Sequence, residues 1–145
     1  MNRPVSAGTF AAGAATGERR VLPDATLQTR IGRTYRFEAA HHLPLVPEGH
    51  RCRNLHGHNY RVTITVRGPL DARGFVRDFE EIDVLMDPLL LQVDHRLLNE
   101  VKGLENPTAE IIAAWFLNQI PDCECVRVYE NDDCWAEVTR EVPQR

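Results

Sequence analysis

Apolar and polar residues alternate in two stretches of the chain. Tyr35, Phe37, Ala39 and His41 share one parity, and His58, Tyr60, Val62, Ile64 and Val66 share another against Arg61, Thr63, Thr65 and Arg67. Period two is the pattern of a half-buried strand. It predicts strands over about residues 30–40 and 58–67. Between them Pro44, Pro47 and Gly49 impose a loop. Gly68-Pro69 ends the second strand, and Asp71-Ala72-Arg73-Gly74 makes a turn.

The period then changes. Phe79, Ile82, Leu85, Met86 and Leu89 recur at helical spacing, and Asp78 with Glu81 three residues later has the form of a capping box. Pro88 either kinks this helix or closes it. Asp94-His95 falls in a connecting segment. A second helix begins near Asn106-Pro107-Thr108, with Asn106 or Thr108 as cap, and carries Ile111, Ile112, Trp115, Phe116 and Ile120 as its apolar stripe. Two more strands follow, over about residues 124–130 and 134–140.

The order strand, strand, helix, helix, strand, strand (ββααββ) predicts an α+β fold: a four-stranded antiparallel sheet with two helices on one face. The other face of the second strand is polar, which suits a wet surface or a solvated barrel lumen. Four strands also leave two open edges, a liability commonly removed by pairing or closure, so edge-to-edge oligomerisation is expected. Residues 1–25 are rich in Ala, Gly and Thr without period and read as a disordered tail, leaving residues 26–145 as a single domain.

Composition narrows the class. The chain has 145 residues, 43% hydrophobic and 26% charged, enough for one domain with its own core. A net charge of −4 argues against a general nucleic-acid binder. No apolar run approaches the roughly 20 residues of a membrane span. The cysteines, Cys52, Cys123, Cys125 and Cys134, form no C-x-x-C pair, and no convincing secretory signal precedes them; a reduced, cytoplasmic protein is expected.

The candidate chemistry lies in Cys52-Arg53-Asn54-Leu55-His56-Gly57-His58-Asn59. On a strand, His56 and His58 point to the same face. Two neutral imidazoles are half of a zinc site, and a catalytic zinc usually has three protein ligands and one open position. His41 has the apolar parity of the first strand, so antiparallel pairing can bring it to the same end of the sheet. Gly57 allows a bend or a close approach. The expected metal ligands are therefore His41, His56 and His58. His42, of opposite parity, and Cys123, Cys125 and Cys134 are not assigned to the site.

These residues carry a resemblance. Phe37-Glu38-Ala39-Ala40-His41, Cys52-x-x-x-His56-Gly57-His58-Asn59, Asp94-His95, Leu104-Glu105-Asn106-Pro107-Thr108 and Glu130 resemble, in that order, motifs of the 6-pyruvoyl-tetrahydropterin synthase superfamily. The short spacing from Cys52 to His56 is most similar to its bacterial branch, the 6-carboxy-tetrahydropterin synthases of queuosine biosynthesis. The resemblance implies the tunnel fold, in which trimers close a β-barrel and two trimers stack into a homohexamer with sites between subunits. It implies Zn2+ on the three histidines, a catalytic thiol at Cys52, a relay at Asp94 and His95, and a pterin anchor at Glu130. Asn131 departs from the family, which often has Thr there, so a hydrogen bond near the pterin is expected to differ.

The implied substrate is 7,8-dihydroneopterin triphosphate, and the implied products are 6-carboxy-5,6,7,8-tetrahydropterin, triphosphate and acetaldehyde. The side-chain carbons that must lose protons are poor acids. A positioned base supplies typically 10²–10⁴-fold, so Lewis acidity from a metal is needed beside it. Formation of a 6-pyruvoyl product or a folate-route side-chain cleavage is the sibling alternative, and a zinc- or pterin-binding module without turnover is the alternative of another class. Taken singly, Cys52 is equally a loop thiol, Asp94-His95 a helix-end pair, and Glu130 the partner of an arginine.

Overall fold

The computed structural model describes residues 27–141. The tail expected over residues 1–25 lies outside the described residues. Strand β1 spans Thr29–His41 and β2 spans His56–Gly68. Helix α1 is Phe79–Val93, β3 is Arg96–Leu97, α2 is Ala109–Gln119, β4 is Cys123–Tyr129 and β5 is Trp135–Thr139. The sheet order is β3-β1-β2-β4-β5.

The expected α+β architecture is present, with one correction: the sheet has five strands and is mixed, because β3 pairs parallel to β1 at Ala39 and Ala40. The cause is local. Asp94 ends α1, and His95 adopts φ +56°, which turns the chain back along β1. The His95 N–H then donates to the Glu38 carbonyl at 2.6 Å, while the Glu38 N–H donates to Asp94 Oδ1 at 2.9 Å. Two residues are too few to show a period, so no alternation marked this strand. It covers only a short part of its edge, and β5 bounds the other side of the sheet.

One face of the sheet is dry. Phe37, Ala39, Tyr60, Val62, Ile64, Val66, Val126 and Val128 pack against Ile82, Met86, Leu89 and Val93 of α1 and Ile112, Ala113, Phe116 and Leu117 of α2 in a single core. Full burial of one such side chain stabilises by about 1.5–3 kcal/mol. The helical stripes follow their expected positions at Ile82, Met86, Leu89, Ile112, Phe116 and Ile120, with two exceptions. Phe79 and Ile111 are largely exposed, and Ala113 and Leu117 take the inner face of α2. Both exceptions lie within a turn of a helix start, where the chain is still approaching the sheet. Pro88 does not close α1, which continues to Val93.

The caps follow from side-chain oxygens. Asp78 accepts from the Glu80 N–H, and Thr108, rather than Asn106, accepts from the Ile111 N–H. A bulge opposite Thr65 and Val66 shifts the register of β4. It turns Cys123 into the core, although Cys123 has the opposite parity from Val126 and Val128. Cys125 stays on the open face near Glu137, and its thiol is pushed up to about 12 by burial and then by that carboxylate. The two thiols therefore do not form a metal pair. Among the described residues no helix is long and apolar enough to cross a membrane.

Candidate metal and pterin site

The register of β1 and β2 builds the site. His41 is the direct partner of His56, Ala39 of His58, and Phe37 of Tyr60. Cross-strand partners on one face touch directly, and diagonal neighbours come within reach of a ring. The His41 ring centroid lies 4.5 Å from that of His56 and 5.1 Å from that of His58, and His56 and His58 are 5.0 Å apart. Gly57 favours the close pairing, since a β-carbon there would lie a tight 3.1 Å from the Ala39 carbonyl oxygen.

Hydrogen bonds fix the tautomers of two rings. His41 Nδ1 lies 2.8 Å from the Pro107 carbonyl, and His56 Nδ1 lies 2.8 Å from the Asn54 carbonyl. A carbonyl can only accept, so each Nδ1 carries the proton and each Nε2 presents a lone pair. The two Nε2 atoms are 3.0 Å apart. Two lone pairs at that distance repel unless a cation lies between them. His58 Nε2 is buried with no hydrogen-bond partner. One ligand atom from each of the three histidines lies within 4.8 Å of the others. Metal–nitrogen bonds of about 2.0–2.1 Å require comparable separations, so the set fits a zinc-like cation. The carbonyls behind His41 and His56 are the outer partners that orient ligating histidines.

The electrostatics agree. Burial is the main cause holding both His41 and His58 below the usual imidazole range, and the neighbouring imidazoles add to it. Neutral imidazole is the form that binds metal. Beneath the cluster, Tyr60 is stacked on Phe37 at 4.9 Å and meets the His58 ring edge-on at 5.3 Å. Burial also pushes its phenol up.

Cys52 reaches the same corner from a loop. It sits in a 3-10 turn, Arg51–Arg53, capped by His50, whose Nδ1 accepts from the Cys52 N–H at 3.1 Å. The Leu43 N–H donates to the Cys52 carbonyl at 2.8 Å and ties the turn to the end of β1. The Arg53 guanidinium donates to the Pro44 and Val46 carbonyls at 3.3 and 2.9 Å, so it braces the loop rather than attending the thiol. Cys52, His56, His58 and Glu130 line one cavity of about 410 Å³.

Glu130 stands just past β4. Its N–H donates to the Cys134 carbonyl, and its carboxylate has no ion pair among the described residues. The arginine partner considered from sequence is therefore absent among them. Asn131 accepts from the Asp133 and Cys134 N–H groups at 2.9 and 2.8 Å, so it shapes the turn that carries Glu130. Cys134 also lines the cavity. Sequence parity gave no signal for it, because a tight turn intervenes between β4 and β5.

Asp94 and His95 are elsewhere. His95 is 75% exposed at the β1–β3 edge, with its Nδ1 3.0 Å from Asp94 Oδ1 and its Nε2 3.7 Å from Glu38 Oε2. Asp94 is held below the usual carboxylate range, first by the Glu38 N–H and then by His95. Neither residue lines the cavity beside Cys52 within the chain. Pro107, which the sequence marked only as part of the second helix's start motif, and Asn99, which it did not mark at all, support the His41 corner. The Asn99 side chain accepts from the His42 N–H at 3.0 Å and donates to the His42 carbonyl at 2.8 Å.

Comparison with known proteins agrees with this geometry. The chain is 36% identical over 115 residues to a putative 6-carboxy-5,6,7,8-tetrahydropterin synthase of Archaeoglobus fulgidus, covering 76% of this chain and 95% of that protein. It is 40% identical over 98 residues to the 6-carboxy-5,6,7,8-tetrahydropterin synthase of Synechocystis, covering 63% and 74% respectively. Its fold superposes on the 6-pyruvoyl tetrahydropterin synthase of Caenorhabditis elegans with a TM-score of 0.72 at 24% identity, over 79% of this chain and 97% of the other. The 6-pyruvoyl tetrahydropterin synthase family profile matches residues 30–141, which hold every element of the sheet from Arg30 onward, both helices and all three histidines, and the chain belongs to that family.

Proposed function

We propose that this chain is a zinc-dependent lyase that converts 7,8-dihydroneopterin triphosphate to 6-carboxy-5,6,7,8-tetrahydropterin, releasing triphosphate and acetaldehyde, in queuosine biosynthesis. The observation that carries the reading is the shared cavity: a thiol, two imidazoles of a three-histidine cluster and an unpaired carboxylate face one volume of about 410 Å³. A pterin-binding module without turnover has no use for a thiol at that place. The names of the relatives at 36% and 40% identity favour the carboxy product.

The roles are those the family resemblance implies, and position supports them. His41, His56 and His58 would hold the metal, which would supply Lewis acidity when bound. Cys52 takes a proton from the neighbouring side-chain carbon, a step in which a positioned base contributes about 10²–10⁴-fold. Glu130 accepts two parallel hydrogen bonds from the amino group and ring N–H of the pterin, and these offset the cost of its own burial. Asp94 orients His95, which moves the second proton. That pair stands at a sheet edge away from the Cys52 cavity, which supports its serving the site of a neighbouring subunit in a homohexamer. The described cysteines are all free thiols, as suits the cytoplasm.

The test is anaerobic incubation of zinc-loaded protein with the triphosphate, with aldehyde trapping and mass spectrometry of the pterins. The expected result is a carboxypterin with stoichiometric acetaldehyde. A pyruvoyl pterin without acetaldehyde assigns the sibling reaction, and unconsumed substrate overturns the enzymatic reading.

A further inference from the structure

Arg36 and Arg61 are direct partners across β1 and β2, on the open face of the sheet. Like charges placed directly opposite each other on a sheet repel. Other arginines of that face have carboxylates close by: Arg67 lies 3.5 Å from Glu124, and Arg127 lies 2.7 Å from Glu137. The Arg36 guanidinium has no hydrogen bond or ion pair among the described residues. Arg61 is held in place by the Tyr129 ring, 4.4 Å from its centroid. Its only carboxylate among the described residues is Asp132, at 3.3 Å, which is 92% exposed and so a weak, displaceable partner.

Arg36 and Arg61 line a cavity of about 490 Å³. His58, Glu130 and Asn131 line both this cavity and the one beside Cys52, so the two chambers adjoin. An anion on the arginine side would remove the like-charge repulsion and accept hydrogen bonds from two planar forks, the geometry that suits phosphoryl oxygens. Glu130 on the shared wall repels an anion and confines it to the arginine side. Its own carboxylate remains available to hydrogen-bond donors.

We propose that Arg36 and Arg61 form a phosphoryl-binding site that holds the phosphate chain of the pterin ester whose ring and side chain occupy the neighbouring chamber. The identity of that ester rests on the function proposed above; the anion site itself does not. Asp132 fills the site in the free protein and swings out when the phosphates enter.

The test has a binding arm and a kinetic arm. Calorimetric titration with inorganic triphosphate at low ionic strength should show binding to the full-length protein. Arg36→Gln and Arg61→Gln should each weaken it roughly ten- to a hundredfold, the range for a lost charge-assisted pair. Arg36→Lys should recover part of the loss, and Asp132→Asn should tighten binding. Thermal melting checks that each variant is folded. In steady-state assays Arg36→Gln should raise KM for the triphosphate ester by a similar factor and leave kcat within about threefold, and in calorimetry it should leave the Kd for unphosphorylated 7,8-dihydroneopterin unchanged. Equal affinity for inorganic triphosphate in the wild type and both Gln variants would overturn the site. So would normal turnover with an unchanged KM in Arg36→Gln, and that result would leave the proposed reaction standing. Arg36-dependent binding of inorganic triphosphate by a protein that consumes no pterin ester would keep the site and remove the reaction.

Discussion

The metal corner and the Asp94–His95 pair are built in opposite ways. His41 is 1% exposed, braced by the Pro107 carbonyl behind it and by His56 across the strand pair. His95 is 75% exposed, reached by one tight backbone turn, and held at the sheet edge by Glu38 and Asp94. The first arrangement is complete within one chain, because the groups that orient each ligand come from the same sheet and loop. The second presents its imidazole outward, where a single chain offers it no reacting atom. A three-ligand metal set must be rigid before the ion arrives. A proton-carrying imidazole needs only a fixed tautomer and access. The difference therefore separates a buried, braced three-histidine cluster from an exposed pair that the function proposed above would draw on from a neighbouring chain.

The largest effect should come from breaking the preorganised half. His56→Ala should lower bound zinc from about one per chain to near none, because two imidazoles rarely hold a catalytic zinc. Metal content of the purified protein measures this, and turnover should vanish with the metal. Full retention of zinc in all three single His→Ala variants would remove the site.

Cys52→Ala separates the thiol from the metal. The variant should keep its zinc, its melting temperature and its fold, while turnover falls at least 10²-fold. Activity within about threefold of wild type would show that Cys52 is not the base.

Mixing subunits sharpens the comparison itself. Cys52→Ala and His95→Ala chains, each inactive alone, should recover about a quarter of wild-type activity when co-assembled at equal amounts, since that share of interfaces pairs two intact contributions. No recovery in confirmed mixed oligomers would place both residues in one chain's site. A stable, active monomer by light scattering would exclude the shared site altogether.

The smallest effect concerns acidity in metal-free protein. His41 and His58 are held below the usual imidazole range, mainly by burial. A group with a depressed folded pKa binds protons more tightly when unfolded. Stability of the apo fold should thus be full above about pH 6.5 and decline as pH falls from there toward the folded values. His58→Gln should flatten that decline in chemical denaturation curves, and an unchanged slope would count against the buried, neutral imidazole.

Much of this was legible in the chain. Period-two alternation placed β1 and β2, and parity alone put His41 and His58 on the apolar face. The helix starts were readable from Asp78 and Thr108 because a side-chain oxygen at a cap is a local device. The strand β3 was not readable, since it depends on one residue in a left-handed conformation, His95, and on its contact with the backbone of Glu38, fifty-seven residues earlier and outside any local window of sequence. The inward turn of Cys123 was hidden for a related reason: a bulge reverses parity without changing composition.

Residue types and spacing determined that this chain would carry three imidazoles, a thiol and a late carboxylate on an α+β frame, because strand period and hydrogen-bonding capacity are properties of the covalent sequence. Register decided the rest. Pairing His41 with His56 places their two Nε2 atoms 3.0 Å apart, and pairing Arg36 with Arg61 sets two arginines directly opposite each other in register. Neither juxtaposition exists until distant segments hydrogen-bond, so the ligands proposed for them could be inferred only from the folded sheet.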